Sequence, residues 1–456
     1  GAAEPLTRPS SWQTSWLAAI APDEPHKFDR RLEWDDLSEE DFFAALNSEP
    51  TFLEKDDPCF QKALQDALEA LKAAWDLPLL AVDNSVNRPF VDLWWPIRCH
   101  SAESLRQIFV ADSAGLADEI FDQLADSLLD RLCALGDQVL WEAFNKERTP
   151  GTMLLAHLGA AGDGSGPPVR EHYERFIQSH RRNGLAPLLK EFPVLGRLIG
   201  TVLSLWFQGS VEMLQRICAD RTVLQQCFAI PCGHHLKTVK QGLSDPHRGG
   251  RAVAVLEFAD PNSTANSSMH VVYKPKDMAV DAAYQATLAD LNAHSDLPPL
   301  RTLAIHNGDG YGYMEHVVHH LCANDKELTN FYFNAGRLTA LLHLLGCTDC
   351  HHENLIACGD QLLLIDTETL LEADLPDHIS DASSTTAQPE PSTLQKQFQR
   401  SVLRSGLLPQ WMFLGESKQA IDISALGMSP PNKPERIAAG WLGFGGCLPA
   451  QPGQSP

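Results

Sequence analysis

The stretch Asp349-Cys-His-His-Glu-Asn354, followed twelve residues later by Asp366-Thr-Glu, decides the fold that we predict for this chain. Phosphoryl transfer to a hydroxyl group requires an oxygen base near the nucleophile and oxygen ligands for magnesium. Kinase-type sites supply these as Asp-x-x-x-x-Asn on a loop, with a second Asp just beyond a short strand. Asp349 and Asn354 have the loop spacing, and Asp366 follows an apolar run, 362–365, that predicts a buried strand.

A lysine upstream completes this pattern. The run Val271-Val-Tyr-Lys274-Pro-Lys predicts an apolar strand that ends at Lys274, a residue suited to binding phosphates. None of the three pieces is specific alone, but their order along the chain predicts an α+β fold with a bilobal core like that of lipid and protein kinases. In such a core a small antiparallel β lobe precedes a helical large lobe, and the cofactors are ATP and Mg²⁺.

Three other patterns in the sequence resemble haem or metal sites. The run Cys347-Thr-Asp-Cys-His351 matches the pattern for covalent haem attachment, but that chemistry belongs with export, and we find no signal peptide. The segment 232–235, Cys-Gly-His-His, resembles half of a zinc site and has no second half with clear spacing. Histidines spaced like those at 316 and 320 are more often structural than metal ligands. We therefore favour the phosphoryl-transfer interpretation.

Bulk composition limits the partners and the location of the chain. The net charge of −23 over 456 residues disfavours nucleic-acid binding, which needs a clustered basic face. No stretch approaches the roughly 20 apolar residues of a membrane helix, so we predict no membrane span. The eleven cysteines are scattered, and the opening Gly1-Ala-Ala-Glu4 lacks a basic, apolar leader. We therefore expect reduced thiols and a cytoplasmic location.

The chain changes character near residue 236. Before it, apolar residues recur every three or four positions from Leu116 to Val139, which predicts a long amphipathic helix. After it, alternating apolar residues predict strands, 311–318 has the position of a kinase hinge, and a helix from Thr329 is expected to deliver the catalytic loop. The predicted parts are a helical N-terminal region that packs on or caps the kinase core (1–235), a small lobe (236–328), a large lobe with the catalytic loop (329–430) and a C-terminal tail (431–456).

Three further segments carry predictions. His247-Arg-Gly-Gly-Arg251 contains glycines without forming a full G-x-G-x-x-G loop. Two interpretations of this segment remain. It forms either a phosphate-binding loop in which Arg251 contacts the nucleotide or a tight turn into a strand. The segment 380–393, rich in Ser, Thr and Pro, has the composition of a loop and the position of an activation segment. Residues 394–430 are expected to be helical.

Several motifs match one family of enzymes. They are Asp245-Pro-His247, Val272-Tyr-Lys274-Pro-Lys, Thr348-Asp-Cys-His-His-Glu-Asn354-Leu-Ile-Ala, Asp366-Thr-Glu368, Ser401-Val-Leu-Arg-Ser-Gly-Leu-Leu-Pro and Asp422-Ile-Ser-Ala-Leu-Gly427. Between Gly242 and Gly427, and more weakly through the helical N-terminus, the chain resembles the dehydratase region of the type II lanthipeptide synthetases, the LanM family. The resemblance implies a lipid-kinase-like fold decorated by extra helices.

The resemblance also implies a reaction in two steps. The family binds a leader-bearing precursor peptide and phosphorylates Ser and Thr of its core with ATP and Mg²⁺. It then eliminates phosphate, which leaves dehydroalanine or dehydrobutyrine. The family's zinc-binding cyclase domain, which adds cysteine thiols to these alkenes, has no counterpart in this sequence, so we expect no thioether rings from this chain alone. The implied partners are the precursor peptide and, in the same pathway, a transport protein.

The family's site residues carry over to matching positions of this sequence. Lys274 would hold ATP phosphates, Asp349 and His351 would orient or deprotonate the hydroxyl, Asn354 and Asp366 would bind magnesium, Glu368 would support the metal or the nucleotide, and Asp245 and His247 would act in elimination. The family's elimination half also uses an Arg and a Thr after the Asp-Ile-Ser-Ala-Leu-Gly motif. We find no convincing counterpart of either, so complete elimination is an open question.

Two other functions are compatible with part of the pattern. A small-molecule kinase of the aminoglycoside-phosphotransferase type explains Asp349, Asn354 and Asp366, but not Asp245-Pro-His or the large helical region. A pseudokinase scaffold is expected to have lost Lys274 or a metal ligand, and this sequence retains them. We therefore predict a peptide-modifying kinase and dehydratase.

Overall fold

The computed structural model of the chain describes residues 25–34, 37–39, 41–42, 58–80, 88–109, 115–147, 171–242, 244, 249–262, 268–371, 397–398, 400–409, 411–413, 420–422 and 424–426. The predicted loop at 380–393 and the predicted tail at 431–456 lie outside these residues. The chain divides into two compact units, Gly1–Cys59 and Phe60–Pro456. The first contains helix α1, Pro25–Trp34. The second carries the sheets, the cores and the candidate site.

The N-terminal half of the second unit is built from helices. They are α2 (Pro58–Ala73), α3 (Val91–Phe109), α4 (Glu119–Glu147), α5 (Glu171–Arg182), α6 (Ala186–Glu191), α7 (Pro193–Ala219) and α8 (Arg221–Phe228). The predicted amphipathic helix is confirmed as α4, in which Ile120, Leu124, Leu128 and Leu132 are fully buried along one face. This face packs against α3, α7 and the first strand of a sheet, so it joins the helices to the sheet.

Five strands of the described chain form one antiparallel sheet in the order β1-β2-β3-β5-β4. They are β1 (His235–Lys240), β2 (Ala254–Ala259), β3 (Ser268–Lys274), β4 (Ile305–Asn307) and β5 (Gly312–Glu315), and helix α9 (Ala279–Ala293) connects β3 to β4. Ala254, Leu256 and Phe258 alternate as the buried face of β2. The central strand β3 ends at Lys274, as predicted, and Lys274 pairs with Gly312 of β5.

One hydrophobic core joins the helices to this sheet. It includes Trp94 of α3, Leu128 of α4, Trp206 of α7 and Phe258 of β2. The change from helix to strand near residue 235 therefore occurs inside one packed core, because residues from both sides fill it. The predicted domain boundaries stay predictions.

Helix α7 is long and apolar enough, by length and composition, to cross a membrane. This is weak evidence for a span, because the buried core helix of a soluble protein meets the same criteria. Trp206, Leu214 and Ile217 of α7 are buried in the core just described.

A second core lies beneath the predicted catalytic loop. Helix α10 (Asp325–Leu344) packs against the antiparallel hairpin of β6 (Leu355–Cys358) and β7 (Gln361–Leu364). Phe331 and Leu338 of α10 are buried in this core. The predicted strand before Asp366 is confirmed as β7, and the loop between α10 and β6 carries the Asp-x-x-x-x-Asn motif.

Two predicted elements differ from the structure. Helix α10 begins before Thr329, because the side chain of Asn324 accepts hydrogen bonds from the backbone N–H groups of Lys326 and Glu327 and caps the helix there. The helical prediction for 394–430 agrees with the structure at residues 397–398 and is wrong for the 3₁₀ turn and the strands that follow. A single 3₁₀ turn, Val402–Ser405, ends at Gly406 with a φ of 75°, and two strands pair beyond it, β8 (Trp411–Phe413) and β9 (Ala420–Asp422).

Candidate functional site

Lys274 links the central sheet to the segment that carries Asp366. The lysine is buried, its Nζ donates a hydrogen bond to the backbone oxygen of Ile365, and it lies 3.5 Å from Oδ1 of Asp281. Burial lowers the pKa of Lys274, and the two nearby carboxylates, Asp281 and Asp366, partly oppose this effect. The ammonium group of Lys274 is thereby held at the end of β3, next to Asp366, the predicted metal ligand.

Asp281, in the first turn of α9, is a site residue that sequence reasoning missed. Its side chain is 3% exposed. The distance from its Oδ1 to Lys274 Nζ is that of an ion pair, and this oxygen has no hydrogen-bond partner in the described part of the chain. In kinases a strand lysine pairs with an acidic residue of the following helix. An acidic residue in the first helix after Lys274 is the signal that could have found it.

Lys276 bridges the two acidic residues of the Asp366-Thr-Glu368 motif. Its Nζ lies 2.9 Å from Asp366 Oδ1 and 2.7 Å from Glu368 Oε1. Burial lowers the pKa of Lys276, but the attraction of Asp366 and the hydrogen bond to Glu368 outweigh it, so the pKa lies above its usual value. Burial alone would raise the pKa of Asp366, but Lys274 and Lys276 hold it below its usual value. Asp366 is therefore a carboxylate at neutral pH.

Lys276, Asp281, Asp366 and Glu368 line a cleft with a volume of about 500 Å³, within the range of small-molecule binding sites. Lys274 pairs with Asp281 of this cleft but is not itself among the lining residues. The polar side chains that line the cleft are those of Ser244, Arg251, Lys276, Asp277, Asp281, Asp366, Thr367 and Glu368. The predicted hinge, 311–318, is not among the lining residues; part of it forms β5. The cleft therefore brings together charged residues that lie up to 117 positions apart in the sequence.

Arg251 reaches the cleft from a tight turn that leads toward β2. Gly249 and Gly250 precede it with φ values of 79° and 84°, a region that favours glycine. The Nε of Arg251 donates to Glu212 Oε2 of α7 at 2.8 Å, and Glu212 also pairs with Arg216. A chain of charges thus connects the cleft to the helical region, and Arg251 serves both as a lining residue and as part of this connection.

The predicted catalytic loop is closed by the side chain of Asn354. Its Nδ2 donates to Asp349 Oδ2 at 2.9 Å and to the backbone oxygen of Asp349 at 2.8 Å. The backbone oxygen of Asn354 accepts from the N–H of Ile365 at 2.9 Å. The loop is therefore attached to the residue directly before Asp366. Because the amide nitrogen holds Asp349, the amide oxygen Oδ1 is the atom of Asn354 suited to a metal.

His351 lies among acidic side chains of the same loop. Its Nε2 is 3.8 Å from Asp349 Oδ1 and 3.6 Å from Glu353 Oε2, beyond hydrogen-bonding distance. Its Nδ1 is buried without a hydrogen-bond partner among the described residues. The side chain is 27% exposed, so it can meet a substrate that enters the loop.

The donor set fits a magnesium nucleotide. Asp366 and Glu368 offer carboxylate oxygens and Asn354 an amide oxygen, the hard donors that Mg²⁺ prefers. Within the part of the chain that the structure describes, no group of three or more His, Cys, Asp or Glu side chains could hold a metal ion. Magnesium in phosphoryl-transfer sites uses few protein ligands, however, and takes the others from water and substrate phosphates. Two buried oxygens at the same cleft accept no hydrogen bond from the described residues: Thr367 Oγ1 and Asp281 Oδ1, which is ion-paired with Lys274.

The two cysteines beside Asp349 form a buried pair of thiols. Their sulfur atoms are 3.1 Å apart, and Cys347 Sγ lies 3.3 Å from Thr369 Oγ1. The hydrogen bond from Cys350 lowers the pKa of Cys347 to about 6, and the pKa of Cys350 is raised by the same pairing. Neither sulfur is among the groups that line the cleft.

Replacing both Cys347 and Cys350 by alanine is expected to change the rate of the reaction proposed below by less than about threefold, because neither thiol contacts the cleft. Initial rates of ATP-dependent peptide modification by the wild type and the double variant provide the measurement, with urea unfolding as a check on stability. A loss of more than about tenfold in a folded variant would give the thiols a role in the site.

Two predicted residues, Asp245 and His247, lie outside the described residues. Among the described residues, the sequence patterns that resembled zinc sites are not brought together into one. Cys232 is exposed, and the ring of His316 contacts that of His270 in a tilted arrangement, with 5.2 Å between the centroids. Of the predicted residues, Arg251, Asp366 and Glu368 line the cleft, and Lys274 pairs with the lining residue Asp281. The Asp349 loop is attached at Ile365, directly before Asp366.

Comparison with known proteins adds two findings. The family model described as "Domain of unknown function (DUF4135)" matches residues 192–445. The chain is also 23% identical over 257 residues to the lacticin 481/lactococcin biosynthesis protein LcnDR2 of Lactococcus lactis subsp. lactis, a match that covers 54% of this chain and 26% of that protein. The chain thus spans about a quarter of the length of the curated relative. Because the family model covers more than half of the sequence and the whole candidate site, the chain belongs to the DUF4135 family.

Proposed function

We propose that this chain binds ATP with Mg²⁺ and phosphorylates Ser and Thr hydroxyls of a ribosomal precursor peptide during lanthipeptide maturation. The observation that carries the proposal is the cleft lined by Lys276, Asp281 and Asp366, with the buried Lys274 paired to Asp281. A buried cation next to an ionised aspartate provides sites for phosphate and metal within one small volume.

Each residue of the site has a task in this reaction. Lys274 and Lys276 supply positive charge for the phosphates, and Asp366 and Glu368 supply oxygen ligands. Magnesium, when bound, would neutralise the charge that the phosphates develop. Asn354 positions Asp349 through two hydrogen bonds, so that the carboxylate can accept the proton of the attacking hydroxyl.

The order of elements supports a kinase-like bilobal core for this function. An antiparallel sheet ends in a lysine, the next helix provides its acidic partner, and a long helix then leads to the Asp-x-x-x-x-Asn loop. A short hairpin follows, and Asp366 comes directly after it. This is the sequence of parts that protein kinases use. The helices before residue 235 pack on the sheet and would support this lobe from outside.

The peptide substrate is inferred from the relative. LcnDR2 is named for the biosynthesis of lacticin 481 and lactococcin. The motifs shared with lanthipeptide synthetases point the same way. The subsequent elimination of phosphate, with Asp245 and His247 as its residues, and a cytoplasmic location belong to the same proposal.

Mass spectrometry of a precursor peptide incubated with the protein, ATP and Mg²⁺ tests this function. The peptide is expected to gain about 80 Da for each phosphorylated Ser or Thr. A net loss of water instead would show that elimination follows. The peptide should be the one encoded beside the gene, with a leaderless version as the control. ATP consumption that leaves the peptide unchanged would contradict the proposal.

A further inference from the structure

The ammonium group of Lys276 lies where two carboxylates converge. Its Nζ is within 3 Å of both Asp366 Oδ1 and Glu368 Oε1. The side chains of Lys276 and Asp366 are 18% and 34% exposed, so water screens this pair less than it screens a surface ion pair, whereas Glu368 is 60% exposed. A divalent cation bound to both carboxylates would need the same space.

The two lysines of the Lys274-Pro-Lys276 run are held in different ways. Lys274 is fixed by a backbone carbonyl, Ile365 O, and by a buried carboxylate. Lys276 is held by Asp366 and Glu368 at the end of a flexible four-carbon stem. An ammonium group that is held by side-chain carboxylates can move away when another cation binds these carboxylates and an anion binds the ammonium group.

Two further oxygens in the cleft lack hydrogen bonds. Thr367 is 1% exposed and lies between the two carboxylates in sequence, and its Oγ1 has no hydrogen-bond partner in the described residues. Asp281 Oδ1 also accepts no hydrogen bond, but it is ion-paired with Lys274 Nζ at 3.5 Å. Both residues line the cleft. Buried polar atoms are costly without partners, so Thr367 Oγ1 indicates a ligand that offers a cation or a donor at this position.

We propose that Lys276 and a divalent cation compete for Asp366 and Glu368, so that the cleft takes up the cation tightly only together with a polyphosphate nucleotide. The phosphates receive the displaced ammonium, because a lysine is an effective point charge for phosphate. The identity of the nucleotide as ATP rests on the proposed function. The competition itself rests on the positions of Lys276, Asp366 and Glu368.

Titration of the protein with Mn²⁺, followed by the electron paramagnetic resonance signal of the free ion, tests the competition without any peptide. In the absence of nucleotide, Lys276→Met is expected to bind Mn²⁺ about tenfold or more tightly than the wild type, a typical size for coupling between neighbouring sites. Lys326→Met removes the same charge from an exposed position on α10 and is expected to leave the affinity unchanged. The double variant Lys276→Met with Asp366→Asn should lose the gain.

A second titration adds a non-hydrolysable ATP analogue to the wild type and to Lys276→Met. The analogue is expected to tighten Mn²⁺ binding to the wild type by about tenfold or more and to do so much less in Lys276→Met. Equal Mn²⁺ affinities for the wild type and Lys276→Met, or no effect of the analogue on the wild type, would overturn the proposal. Since neither measurement uses peptide, a failure here is distinct from a failure to phosphorylate the precursor.

Discussion

Replacing Asp366 by asparagine is expected to slow peptide phosphorylation by about a hundredfold to a thousandfold. The variant keeps the shape of the side chain and removes the negative charge that the proposed metal site requires. Lys276 keeps Glu368 as a partner, so the segment should stay folded. Phosphorylated peptide measured over time by mass spectrometry gives the rate, and a thermal unfolding curve verifies that the variant is folded.

Asp290→Asn provides the matched control for this experiment. Asp290 lies on α9, its side chain is 73% exposed, and it pairs with His294 on the same helix. The control removes the same charge from the same unit and is expected to react at the wild-type rate. Wild-type activity in Asp366→Asn would exclude this carboxylate as a metal ligand and would remove the basis of the kinase proposal.

The parts of the site that the sequence predicted are those encoded within a short segment. Asp349 and Asn354 are five positions apart, and the structure joins them by a side-chain hydrogen bond. Lys274 was expected at the end of a strand, because apolar residues precede it, and the strand ends there. Local spacing and hydrophobic pattern were sufficient for these features, since each depends on neighbouring residues.

The parts that the sequence did not predict depend mainly on contacts between residues that are far apart in the sequence. Lys276 meets Asp366 across 90 positions, and nothing near either residue in the sequence indicates the pair. Asp281 is buried although acidic residues are usually exposed, because Lys274 compensates part of its charge. The β8–β9 hairpin was predicted as helix, because its strands of three residues are too short to show a period.

Helix α7 of the helical region supports the strand that positions Lys274. Arg216 of α7 donates to the hydroxyl of Tyr273 at 2.9 Å and lies over the ring of Tyr311. Tyr273 directly precedes Lys274, so α7 supports the strand end that positions the lysine. Together with the shared core, this contact shows that the helices before residue 235 support the sheet that carries Lys274.

Replacing Asp349 by asparagine is expected to lower kcat for peptide phosphorylation by about 10²- to 10⁴-fold, the usual contribution of a general base. The KM for ATP is expected to stay near that of the wild type, because Asp349 is assigned to the hydroxyl and not to the nucleotide. Asparagine can still accept the hydrogen bond from Asn354 that closes the loop, so the geometry is retained. The measurement is kcat and KM for ATP, determined with the precursor peptide at saturation.

Variants of Glu353 and His351 distinguish a specific role of Asp349 from a general effect of charge. Glu353→Gln removes a carboxylate 3.6 Å from His351 Nε2 and is expected to retain activity, since Asn354 does not hold this group. His351→Gln is expected to lose less than Asp349→Asn, because the histidine lies beyond hydrogen-bonding distance of Asp349 and would orient the hydroxyl. If His351→Gln loses about 10²-fold or more while Asp349→Asn keeps most of its activity, the base is His351. In that case the hydrogen bonds from Asn354 serve only to shape the loop.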